Sequence, residues 1–143
     1  MKSLIKNLTL IVLASAGLML GQGVMAEISI IVHPDNKNDL TEKYIKRLFL
    51  TKSEVFPNGD KAIPLVLNKN HVAHDLFVAS FIKKSAHQYD SYWGRLIFTG
   101  KGAPPKGVSD HEAMKKLIST NPNTIGYIDS ALVDSSVREV FKF

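Results

Sequence analysis

Apolar positions along the chain alternate between two spacings, and the alternation predicts strands interleaved with helices. Glu27-Ile28-Ser29-Ile30-Ile31-Val32 is β-rich and brief, and His33-Pro34-Asp35-Asn36 breaks it, so a largely buried first strand is expected. Leu40, Tyr44, Ile45, Leu48 and Phe49 then form one face of a helix, with Asp39 as its cap and Glu42 three residues on. Lys43, Lys46 and Arg47 occupy the opposite face. Phe56-Pro57-Asn58-Gly59-Asp60 is a turn, and Ile63 to Leu67 behind it is a second short strand. After polar Asn68-Lys69-Asn70, a helix from about Val72 to Lys84 turns Leu76, Phe77 and Phe81 inward.

The next helix, from about Ala86 to Phe98, places Tyr89, Tyr92, Trp93, Leu96 and Ile97 at i, i+3, i+4, i+7 and i+8. That broad apolar stripe suits packing on a core, and Gly100 stops the helix, so the only Trp is expected to pack. Lys101 to Val108 reads as a Gly/Pro loop. Ser109 with Glu112 forms a capping box for a helix over Asp110 to Ser119, which Asn121-Pro122-Asn123 ends. Ile125 to Asp129 and Val137 to Phe141 complete the strands, giving an α/β sandwich without repeats or linkers.

The N-terminus changes the picture. Lys2 and Lys6 precede an apolar run from Leu8 to Leu20, and Val24-Met25-Ala26 supplies small residues at the −3 and −1 positions of a signal peptidase site. Residues 1–26 are therefore expected to be a signal peptide and residues 27–143 the exported, periplasmic domain. The run is short of the roughly 20 apolar residues of a membrane span, so no span is expected after cleavage. Removing 26 of the 143 residues leaves 117, enough for one modest core. No Cys is present, so the fold stands on packing alone.

The chain carries +5, and losing Lys2 and Lys6 leaves +3. This surplus favours an anionic ligand only weakly, and the dense basic blocks with interleaved aromatics of a nucleic-acid surface are missing. Catalysis has little support. Without Cys or a Gly-x-Ser-x-Gly elbow, and with acidic residues mostly in helix first turns, the chain reads as a non-enzyme without cofactor. Lys101-Gly102-Ala103-Pro104-Pro105-Lys106-Gly107 lacks the Gly-Lys-Ser/Thr of a P-loop, and its Pro pair suggests a rigid connector.

Ser91-Tyr92-Trp93-Gly94-Arg95-Leu96-Ile97-Phe98-Thr99-Gly100, then Gly102-Ala103-Pro104-Pro105 and Ile125-Gly126-Tyr127-Ile128, follow the order of a known family. Together with Asp39-Leu40-Thr41-Glu42, Arg47-Leu48-Phe49-Leu50 and Phe56-Pro57-Asn58-Gly59, they resemble the substrate-binding proteins of phosphate ABC transporters. The resemblance implies a type 2 periplasmic-binding-protein-like α/β sandwich. At 117 residues it implies about one lobe, where such receptors close two lobes around a ligand. It also implies phosphate or another small anion as ligand, and an ABC permease or envelope protein as partner.

Within that family the strand matching Ile63–Leu67 leads into an Arg and a Ser-Gly-Thr at a helix start, where hydroxyls and amides wrap phosphate. This chain has Asn68-Lys69-Asn70-His71-Val72-Ala73-His74 instead. Asn68, Lys69, Asn70, His71 and His74 are the candidate ligand-binding residues, aided by amides of Val72 to His74. The competing interpretation is a solvated helix start with Asn70 as N-cap. His71 and His74, three apart, share a helix face and could grip a metal with His33 or Asp75, yet two imidazoles do not make a site, and surface histidines are the expectation. Two functions follow: a solute-binding protein for a small anion, or a one-lobe accessory module of the envelope that has lost phosphate binding.

Overall fold

The computed structural model describes residues 26–143; the expected leader and most of its cleavage site lie outside the described residues. Five strands form one mixed sheet: β1 (Ile28–Val32), β2 (Ile63–Leu67), β3 (Lys106–Val108), β4 (Thr124–Asp129) and β5 (Arg138–Lys142), in the order β3-β2-β4-β1-β5. β2 runs parallel to β3 and β4, whereas β1 runs antiparallel to β4 and β5. Every residue of β1 is buried, as are all but the last of β4, which is why both read as nearly continuous apolar runs.

Alternation along β4 shows how the layers stack. Gly126 faces α4 (His111–Thr120), where an added Cβ would sit 2.5 Å from the Met114 sulfur and 2.8 Å from Ile118 Cδ1. The next residue, Tyr127, points to the other face, where its ring stacks on Phe77 at 4.2 Å and meets Phe49 of α1 (Glu42–Phe49) at 6.2 Å. A larger residue at 126 would have to displace the Met114 and Ile118 side chains within the core. Phe81, Phe141 and Phe143 extend the aromatic layer toward β5.

Several expectations change in detail. Thr41, not Asp39, caps α1, accepting the Tyr44 N–H. Asp110, not Ser109, caps α4, accepting the Ala113 N–H. The segment read as one helix from Val72 to Lys84 is α2 (Val72–Leu76) followed by a π turn over Phe77–Ile82, and Lys83 ends it in the left-handed region at φ 62°. Phe77 and Phe81, four residues apart, both lie in the core. α3 (Ala86–Phe98) has the expected bounds, with a reciprocal Ser85–Gln88 capping box. Lys106–Val108, expected as loop, is the edge strand β3; with two exposed residues and a glycine it carries no alternation to read.

Candidate ligand-binding groove

β2 and β3 are parallel, so their carboxyl ends open on the same edge of the sheet, the usual place for ligands in α/β sheets. Along that edge Asn68-Lys69-Asn70 leads from β2 to α2, and α3 lies across the opening. Between them is a groove of about 370 Å³ reached by Leu67, Asn68, Lys69 and His74 on one side and by Tyr89, Asp90, Trp93 and Ile97 on the other, with Pro104 and Pro105 completing it. A second hollow of about 400 Å³ adjoins it and shares Lys69, His74, Tyr89 and Asp90.

α3 is tied over this opening by few residues. Tyr89 and Trp93 are its buried side chains, and the half-buried Tyr92 hydroxyl donates to the Leu50 carbonyl at 2.6 Å. Ile97, expected on the packed stripe, is 56 % exposed and lines the groove instead, because the stripe drifts off the core toward the helix end. Trp93 packs as expected, 4 % exposed, but its indole N–H has no acceptor in hydrogen-bonding geometry. Its partner is the Tyr89 hydroxyl, outside ideal geometry; this hydrogen-bond contribution opposes the upward pKa shift that burial imposes on Tyr89.

His74 is buried, not a surface histidine. The Leu67 N–H donates to the Tyr127 hydroxyl at 3.1 Å, and the same hydroxyl shares a hydrogen bond with His74 Nδ1, also 3.1 Å away. Burial holds the His74 pKa below its usual value, with Asp75 opposing and Lys69 reinforcing the shift. Burial also drives the Tyr127 hydroxyl far upward.

His71 is directed elsewhere. It, not Asn70, is the N-cap of α2: its Nδ1 accepts the Ala73 N–H at 3.2 Å, and its carbonyl accepts the His74 N–H. Two of the three amides expected to receive an anion are thus already bonded within the chain. The His71 ring meets His111 edge-on at 4.7 Å, and His111 Nδ1 accepts the Asp129 N–H. Burial, then His71, lowers the His111 pKa. Rings that accept at Nδ1 keep their proton on Nε2, closing that nitrogen to a metal. His71 and His74 therefore do not share a face, His33 spends its Nδ1 on the Asp35 N–H, and no group of three potential ligands gathers among the described residues.

Of the residues expected to bind ligand, Asn68, Lys69 and His74 line the groove, while exposed Asn70 and capping His71 do not. Lys69 reaches over to α3 and pairs with Asp90 at 2.5 Å, both more than half exposed. Asp90, Tyr89, Trp93 and the Pro pair were not expected here. The apolar stripe assigns Trp93 and Tyr89 to packing and the Pro pair reads as a connector; the one available signal is an acidic residue, Asp90, set beside the apolar stripe of α3.

Comparison with known proteins agrees with this architecture. No protein-family model matches the chain, and no curated protein matches it. Solved structures do. A proposed phosphate ABC transporter substrate-binding protein from Clostridium perfringens, with phosphate bound, superposes with a TM-score of 0.60 at 22% identity, over 80% of this chain and 45% of its own. PstS from Borrelia burgdorferi gives 0.60 at 12% identity, and an ABC-type phosphate transport receptor from Vibrio cholerae 0.54 at 18%. They share coverage of 80% of this chain, against 47% and 46% of their own lengths. The fold is that of a single periplasmic-binding-protein-like lobe, and the chain spans about half the length of the structures it matches.

Proposed function

We propose that this chain is an exported, non-enzymatic solute-binding module, with residues 1–26 as signal peptide and residues 27–143 as a periplasmic lobe. Its ligand face is the groove where β2 and β3 end against α3, and its ligand is a small solute bearing an anionic group, phosphate being the simplest candidate. The observation that carries this is the convergence of Asn68, Lys69 and His74 with the inner side of α3 at the carboxyl edge of a sheet whose fold is shared with phosphate-binding proteins. An ABC permease or another envelope protein would be the partner.

One observation favours a second function, an accessory module that has lost phosphate binding. The single Lys nearest the groove mouth is already paired with Asp90, and the amides of Ala73 and His74 are engaged by His71, so few donors remain to offset the desolvation of a dianion. Thermal melts with increasing phosphate or sulfate separate the two. A saturable rise in Tm that Lys69→Ala abolishes supports solute binding; the weak donor set sets the expected affinity in the millimolar range. No shift with any small solute supports the accessory module.

A further inference from the structure

The charges around the groove balance. Lys69 and Asp90 line the first hollow, and the adjoining one adds Lys84 and Asp75, so each cation is matched by a carboxylate. A dianion placed here would face Asp90 directly. A ligand carrying both charges would not, and beside polar Asn68 and His74 much of the remaining wall, Trp93, Ile97, Pro104 and Pro105, is apolar. We propose that the groove binds small zwitterions with an apolar side chain, an α-amino acid or close analogue, its carboxylate on Lys69, its ammonium on Asp90 and its side chain against Trp93 and Ile97. This rests on the solute-binding reading above and names the solute class.

An exposed ion pair of this kind contributes about 0–1 kcal/mol, so a head group inserting between Lys69 and Asp90 breaks little. An α-amino acid carries its two charges on one carbon, and set in the opposite sense to the pair it enters it gives each protein charge an opposite partner, so both stay compensated as water leaves. The groove's 370 Å³ sits at the small end of the range of roughly 300–1,000 Å³ typical of small-molecule sites.

Calorimetric titration of the purified protein tests this with five probes: L-phenylalanine, L-leucine, 3-phenylpropanoate, which lacks the amine, 2-phenylethylamine, which lacks the carboxylate, and inorganic phosphate. Either amino acid is expected to bind at least about tenfold more tightly than the compounds carrying one charge, and than phosphate. Asp90→Asn should remove that advantage, weakening the amino acid while 3-phenylpropanoate binds as well as before or better, and Lys69→Met should weaken the amino acid and 3-phenylpropanoate alike. Unchanged thermal melts of both variants verify that the fold is kept. The inference is overturned if 3-phenylpropanoate matches L-phenylalanine, or if Asp90→Asn leaves amino-acid affinity intact. Phosphate binding without amino-acid binding also overturns it while sustaining the solute-binding reading. Heat from none of the five overturns both.

Discussion

Tyr127 and Trp93 are both buried aromatic residues with a polar hydrogen, and the fold treats them oppositely. Tyr127 stands in the middle of the sheet, stacked on Phe77, with its hydroxyl between the Leu67 N–H and His74. Trp93 stands on α3, packed on Tyr89 and Tyr92, with its N–H unanswered. The first region is complete in itself. The second has a poorly aligned indole N–H, exposed apolar side chains and a cross-groove ion pair, the properties of a surface that gains by taking something up.

The sharpest test of that contrast is deletion at the aromatic centre. Phe77→Ala removes a ring in contact with Phe49, Phe81 and Tyr127, and should cost about 3–5 kcal/mol in urea melts. A loss below about 1 kcal/mol would mean that the sheet side is not the stable half.

Removing single polar groups discriminates more finely. Tyr127→Phe orphans the Leu67 N–H and His74 Nδ1 together, for an expected loss of about 1–3 kcal/mol. Trp93→Phe deletes a donor that is already unpaired, so the lost packing is partly offset and the net change should stay within about 1 kcal/mol. Equal losses in the two variants would erase the difference between the regions.

Buried His74 and half-buried His111 give the sheet side a pH signature. His74 and His111 have native pKa values below 6.5, so between 6.5 and those lower values the unfolded chain binds more protons than the folded one. Stability should hold above pH 6.5, fall as pH drops through that window, and level off below the native values. Melts from about pH 7.5 to about 5 check the sign, and replacement of His74 by Gln should flatten the fall. The smallest effect belongs to the groove mouth: Lys69→Ala should move stability by less than about 1 kcal/mol, because the pair with Asp90 is solvent-screened.

The same division explains what could be read from the residues alone. β2 and α3 have their expected limits because the short apolar run of β2 and the apolar stripe of α3 are local signals, and the burial of Trp93 follows from that stripe. β3 escapes notice because Lys106-Gly107-Val108 becomes a strand only through pairing with β2. The helix caps shift because Asp39, Asn70 and Ser109 are as competent chemically as Thr41, His71 and Asp110, and only the path of the backbone decides between them. In the groove, Asn68, Lys69 and His74 were visible as a polar insertion after a strand. Asp90 was not, since its relation to Lys69 spans 21 positions and depends on how α3 crosses the sheet edge.

The π turn over Phe77–Ile82 has a consequence for chain length. It closes with the Lys83 N–H on the Val78 carbonyl, five positions back, so it holds one residue more than an α-helical path between the same ends. Loss of one residue there converts the turn to ordinary helix and leaves Lys83, the Ser85 cap and α3 nearly where they are. The same loss inside α3 would rotate every later side chain by about 100° and dismantle the groove wall. Relatives one residue shorter between α2 and α3 can thus present an unchanged groove, and an alignment that places the gap within 77–82 keeps Tyr89, Asp90 and Trp93 in register.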